Sequence, residues 1–294
     1  MKTSPRHLLV VLLFLLAVSA LPSSLRAQAS KIFVASIGND ANDGSRGSPK
    51  RNFQAAHDAV AVNGQIVVLD TAGYGALNIS KSLAITVPPG VNGFVTVSNP
   101  FTGIAINCTS TDTVSLRGLI VEGGGSVGGG TGVFIQDCGR VDIEDCVIRN
   151  FDSGLRAPTG GRTFFMARTT IRDCAFGINV SPTTGSFAAA SVGEVDYCQI
   201  EGCTSAGVLA GADQVNVFVF VNNSTLTKNA VALSARGSTQ FSIPASQILV
   251  ENCRIFNNTT GVSGTTTGTV VSRGNNTLTL NNSGNAFSGS FAAQ

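Results

Sequence analysis

Histidine, tryptophan and tyrosine are scarce in this chain, and each shortage removes a class of chemistry. There are two histidines, two tyrosines and no tryptophan in 294 residues. His7 lies in the N-terminal leader, so His57 stands alone, on the apolar side of a short helix pattern where it reads as a packing residue. Ser-His-Asp and Cys-His catalysis both need a free imidazole beside the nucleophile, and histidine-built metal centres need more than one. Charge is thin as well, at 12% of residues. No basic stripe or polybasic cluster marks a nucleic-acid binder or a membrane-surface protein. Past the leader no apolar run is long enough to span a bilayer.

The leader reads as an export signal. Lys2, Arg6 and His7 precede the apolar run Leu8 to Ala20, and Ala27-Gln28-Ala29 supplies a small-x-small cleavage pattern. The expected division is a signal peptide over 1–29 and one domain over 30–294, secreted or held in the periplasm or at the cell surface. Cleavage would remove Lys2, Arg6 and Arg26, taking 19 basic residues to 16 against 17 acids, a net charge of about −1.

What is abundant is glycine, 34 residues, with many Thr, Ser, Val and Asn. These favour strands and turns over helices. A repeat runs through them. VDIEDCVIRN (Val141 to Asn150), VDYCQIEGC (Val195 to Cys203), VNNSTLTKN (Val221 to Asn229) and VENCRIFNN (Val250 to Asn258) are copies of one unit. Its apolar anchors are Val121, Ile148, Ile171, Ile200, Leu226, Ile255 and Leu278, spaced 27, 23, 29, 26, 29 and 23 residues apart. Five before the anchor stand Ile143, Met166, Val195, Val221 and Val250. Two before it stand Cys146, Thr169, Cys198, Ser224 and Cys253, after a polar corner. Three after it stand Cys174, Cys203, Asn229, Asn258 and Asn281.

Stacked coils explain this pattern. Equivalent residues sit one above another, about 4.8 Å apart, and no coil buries its apolar face alone. The expected fold is all-β: a single-stranded right-handed parallel β-helix with a short N-terminal capping helix over about 52–62, where Phe53, Ala56, His57 and Val60 share one face. Asparagines at +3 are expected to hydrogen-bond along the stack. The seven cysteines read mostly as buried apolar thiols. Cys146, Cys198 and Cys253 fall on alternate coils, too far apart to bridge. Cys174 with Cys203, and Cys108 with Cys138, remain possible pairs.

The run IFVASIGNDANDGSRGSP, then NFQAAHDAV, GQIVVLD and AGYGALNISKSLAIT, followed by Asn- and Gly-punctuated coils, resembles bacterial exported right-handed β-helix repeat proteins of the pectin lyase-like superfamily. That resemblance implies the fold and an exported location, without one activity. The Asn-Thr-Asp, Asp-Asp, Gly-His-Gly and Arg-x-Lys motifs of its polygalacturonases are missing. The Arg-x-Pro-x-x-Arg motif of its pectate lyases is matched by Arg156 to Arg162 with one residue too many. Asp152, Arg156 and Arg162 therefore form an alternative loop site for a polysaccharide lyase or glycoside hydrolase acting on acidic polysaccharide, and Ca²⁺ belongs to that alternative alone. Asp40-Ala-Asn42-Asp43-Gly44 has calcium-loop residue types but not the spacing, and reads as turns. The favoured expectation is a non-enzymatic protein that contacts polysaccharide or the cell envelope, without cofactor or metal. Its candidate ligand residues lie one past the anchors and at the next corner: Arg149, Arg172, Asp173 and Glu201.

Overall fold

The computed structural model describes residues 28–98, 100–124, 130–184, 190–212, 215–237 and 245–290. Three sheets, of eleven, nine and eight strands, run along a rod. Each coil visits them in one order. One coil has Arg140–Glu144 in the eleven-stranded sheet, Val147–Arg149 in the nine-stranded sheet and Ser153–Thr159 in the eight-stranded sheet. Neighbouring strands in each sheet are parallel, and the connections between them are right-handed, as such crossovers are. The chain is a right-handed parallel β-helix, as the repeat predicts.

The register follows the anchors. Val121 pairs with Ile148, then Ile171, Ile200, Leu226, Ile255 and Leu278 in turn. All but Leu278 are at most 1% exposed. The −5 positions Ile143, Met166, Val195, Val221 and Val250 pair in the same way. The Asn ladder is also present. Asn229 N–H donates to Asn258 Oδ1 at 2.9 Å, and Asn258 N–H to Asn281 Oδ1 at 3.0 Å. Close stacking explains the glycine that opens six of the eight strands of the eight-stranded sheet, with Ala76 and Ala232 at the other two. A Cβ on Gly177 would stand 2.5 Å from the carbonyl oxygen of Gly207.

Two corners per coil turn on a residue in the left-handed region. At the first these are Asp145, Arg168, Tyr197, Asn223 and Asn252; at the second, Asn150, Asp173, Gly202, Lys228, Asn257 and Leu280. Asn, Asp and Gly tolerate that conformation, and branched or bulky residues do so at a cost. Leu280 has φ 54° and is 72% exposed, so it gains little packing in return. Leu280→Asn should therefore raise stability by about 0.5–1 kcal/mol, read as a later denaturant midpoint. A lower midpoint would mean that the leucine side chain contributes more than its backbone strain costs.

The N-terminal end is closed by the helix Phe53–Ala59. It is shorter than the expected 52–62 because Val60 enters an extended strand, Val60–Val68, and pairs with Ala29. Phe53, Ala56 and His57 face inward, and Phe53 packs on Tyr74 with ring centroids 5.1 Å apart. The Tyr74 hydroxyl bonds to the Asp70 carboxylate, which also accepts the Ser36 hydroxyl at 2.5 Å. Burial and the adjacent carboxylate push the Tyr74 hydroxyl above its ordinary pKa. No helix among the described residues is long and apolar enough to cross a membrane.

Candidate functional site

The outer face of the nine-stranded sheet carries one column of side chains locked by the strand register. Glu122, Arg149, Arg172, Glu201, Thr227, Phe256 and Thr279 occupy successive coils. Three of the expected ligand residues, Arg149, Arg172 and Glu201, are thus direct neighbours, and Asp173 stands at the corner beside Arg172. Arg149 reaches back to Glu122 at 3.1 Å, and Arg172 donates to Asp173 at 2.7 Å. Glu201 accepts from Gln199 at 3.1 Å. The two arginine side chains retain about a third of their surface, 28% and 34%. Arg149 and Arg172 are paired on adjacent strands, so their backbones lie about 4.8 Å apart along the rod.

A second charged cluster lies at the first corner. The Asp145 carboxylate accepts from Arg168 Nε at 2.7 Å and from Arg117 Nε at 3.0 Å, and Arg168 also donates to Glu144 at 2.6 Å. Arg168, then Arg117, hold the Asp145 carboxyl below its usual range. Arg117 and Asp145 line a groove of about 660 Å³ together with Val87, Pro88 and Pro89. Sequence reading passed over Arg117 and Arg168 as site residues, although the register contained them. They fall four and three residues before their anchors, one coil on either side of Asp145.

Asp152, Arg156 and Arg162 are not brought together. Asp152 precedes and Arg162 follows the strand Ser153–Thr159, whose length separates them by roughly 20 Å. Arg156 lies over the Phe134 ring, 6.0 Å from its centroid, and Arg162 pairs with Asp137 at 3.1 Å. The Asp40 segment is built as turns. Asp40 Oδ1 accepts the backbone N–H groups of Arg51 and Asn52, and Asp43 Oδ1 that of Ser45. No group of three or more His, Cys, Asp or Glu among the described residues is arranged to hold a metal ion.

The fold does place Ser80, His57 and Asp58 in a row, which the sequence spacing does not reveal. His57 Nδ1 is 2.9 Å from Asp58 Oδ1, and Nε2 is 3.5 Å from the Ser80 hydroxyl. Nε2 already accepts the Ser80 backbone N–H at 3.2 Å. That shorter bond occupies the lone pair a general base would use, so His57 ties the cap helix to the next coil.

Every described carboxyl that departs from the usual range departs downward: Asp40, Asp58, Asp70, Asp112 and Asp145. Asp112 is the strongest case. Hydrogen bonds from the Ser82 hydroxyl at 2.6 Å, and from the Thr109 hydroxyl and N–H at 2.7 and 2.8 Å, bring it to about 2. A depressed carboxyl contributes stability above its unfolded pKa of about 3.9 and loses it as pH falls through the folded value. Wild-type stability should therefore drop between about pH 4 and 2, and Asp112→Asn should flatten that limb of a pH-dependent melting curve. Parallel curves for the two proteins would remove Asp112 from the acid response.

Comparison with a solved structure agrees with the parallel β-helix fold. The structure is similar to that of pectate lyase Pel9A, with a TM-score of 0.66 and 15% identity over 94% of this chain and 81% of that one. Pectin methylesterase from Aspergillus niger aligns over 91% of this chain and 92% of its own, with a TM-score of 0.45 and 13% identity. No curated protein sequence matches the chain. The family model "Right handed beta helix region" matches residues 102–292, and the chain belongs to that family.

Proposed function

We propose that this is an exported, non-catalytic β-helix, with a mature form beginning at or near Ser30, that binds an extended acidic polysaccharide along the outer face of its nine-stranded sheet. The observation that carries this reading is the register-locked column containing Arg149 and Arg172 on adjacent coils. Guanidinium groups bind carboxylates through paired, planar hydrogen bonds, and a row along a rod suits a polymer that also repeats. The existing partners of both arginines are partly exposed acids. Such pairs are worth only about 0–1 kcal/mol, so a uronate can replace them at little cost. The downward-shifted carboxyls also weigh against hydrolysis, which needs an acid with a raised pKa.

The test is affinity electrophoresis and a glycan array on the mature protein, with and without Ca²⁺. Binding to polygalacturonate or alginate should weaken with salt and fall at least tenfold in the Arg149→Ala/Arg172→Ala double variant. Stability should stay within about 0.5 kcal/mol per substitution, as for other surface changes. Retention of no glycan at all would reject the proposal. Sustained release of unsaturated products, lost in Arg156→Ala or Arg162→Ala, would replace it with the lyase reading.

A further inference from the structure

Cys108 and Cys138 meet at a break in the ladder. The strands Ile104–Asn107 and Thr131–Asp137 run in register through Ile106 and Ile135, then slip so that Asn107 stands opposite Asp137. Cys108 N–H donates to Asp137 O at 2.7 Å, and Gly139 N–H to Thr109 O at 3.1 Å. The two cysteines therefore occupy matching places on adjacent coils. Adjacent strands are about 4.8 Å apart, inside the roughly 4.4–6.8 Å Cα separation that disulfides span. The slip matters because an unbroken parallel ladder points side chains the same way and holds their sulfurs apart.

Cys174 and Cys203 sit in a regular stack, and each thiol is turned to a carbonyl of its own coil, Arg172 O at 3.4 Å and Glu201 O at 3.8 Å. Cys146, Cys198 and Cys253 are separated by Thr169 and Ser224, which fill the coils between them. Burial pushes these five thiols up to about 11 or 12, so they react poorly. The Cys108 thiol donates to Ile79 O at 3.6 Å and the Cys138 thiol to Asp112 O at 3.4 Å and Arg140 O at 3.5 Å, and the neighbouring Cys108 thiol lowers the pKa of Cys138. Cys108 keeps 7% of its surface at the strand end.

We propose that Cys108 and Cys138 form a cross-coil disulfide in an oxidising compartment, by exchange with an organic disulfide such as oxidised glutathione or a protein thiol oxidant. One of the two, as its thiolate, attacks the oxidant, breaking its S–S bond and releasing one thiol. The other then displaces the second thiol from the mixed disulfide. The two cysteines lose two electrons and two protons, the oxidant gains both, and one S–S bond replaces another. The inference is independent of any glycan.

Purified full-length protein would be exposed to oxidised glutathione, alkylated in denaturant and mapped by mass spectrometry without reduction. Five alkylated cysteines out of seven, with one linked peptide joining Cys108 to Cys138, is the expected result, and reductant should restore seven. Cys108→Ala should give six alkylated cysteines and no linked peptide; the wild-type map decides the matter even if that variant folds poorly. Seven alkylated cysteines after oxidation, or Cys174 linked to Cys203 in place of this pair, would overturn the assignment.

Discussion

Replacing Asn258 with alanine should cost about 3–5 kcal/mol, an unusually large loss for a polar residue. Asn258 is 2% exposed and forms the middle rung of the amide column. Its Oδ1 accepts from the backbone N–H and the side-chain nitrogen of Asn229, at 2.9 and 3.1 Å. Its Nδ2 donates to Leu226 O, Phe256 O and Asn281 Oδ1 at 2.9–3.1 Å. Alanine strands the Asn229 N–H in the interior, removes the amide from two carbonyls and leaves a void between coils. Each buried group left without a partner costs about 1–3 kcal/mol. Asn285→Ala is the control, because among the described residues the Asn285 side chain bonds to Asn281 alone, at the end of the column. Urea midpoints with unchanged slopes measure both. A loss below about 1 kcal/mol for Asn258→Ala would show that water or repacking replaces the rung.

Ile200→Asp should be more damaging still, and Glu201→Ala nearly silent. Ile200 is fully buried between Ile171 and Leu226. A carboxylate there has no cation within the stack, and burying an unpaired charge costs several kcal/mol or forces the group to stay protonated. Glu201 is on the outer face one residue later, where changes usually remain within about 0.5 kcal/mol. Melting temperatures of the two variants compare inside with outside directly. Equal losses would mean that the short strand does not alternate its faces as the register requires.

The stack was legible in the sequence because translation makes neighbours alike. Ile148, Ile171 and Ile200 resemble one another since each packs on the next, and Asn229, Asn258 and Asn281 do so because each amide bonds the next. The same logic located the column of Arg149, Arg172 and Glu201. It also contained the Arg117, Asp145 and Arg168 cluster, which went unread because opposite charges, unlike identical residues, do not show as a repeat. The cap was less legible. Ser80 approaches His57 through a single closure that no period announces, and the helix ends early because Val60 is claimed by strand pairing with Ala29. The slip at Asn107 and Asp137 was equally invisible, since it breaks the rule by which the other positions were aligned.

The two left-handed corners per coil have a consequence for how such a chain gains or loses length. The segment from the eleven-stranded sheet through the anchor is fixed from Leu116 to Glu251, and among the coils from Ile148 to Ile255 the path on to the eight-stranded sheet varies by at most one residue. The unequal spacing of those coils therefore accumulates almost wholly in the return from the eight-stranded sheet to the eleven-stranded one. An added residue there enlarges a loop, whereas one added beside Asp145 would turn every following side chain of that strand inside out. Among these coils, differences in length are thus confined almost wholly to one seam along the rod. Growth elsewhere is quantised: removing the stretch between two equivalent points, such as Ile148 and Ile171, shortens the rod by one storey and leaves the storeys above it in register.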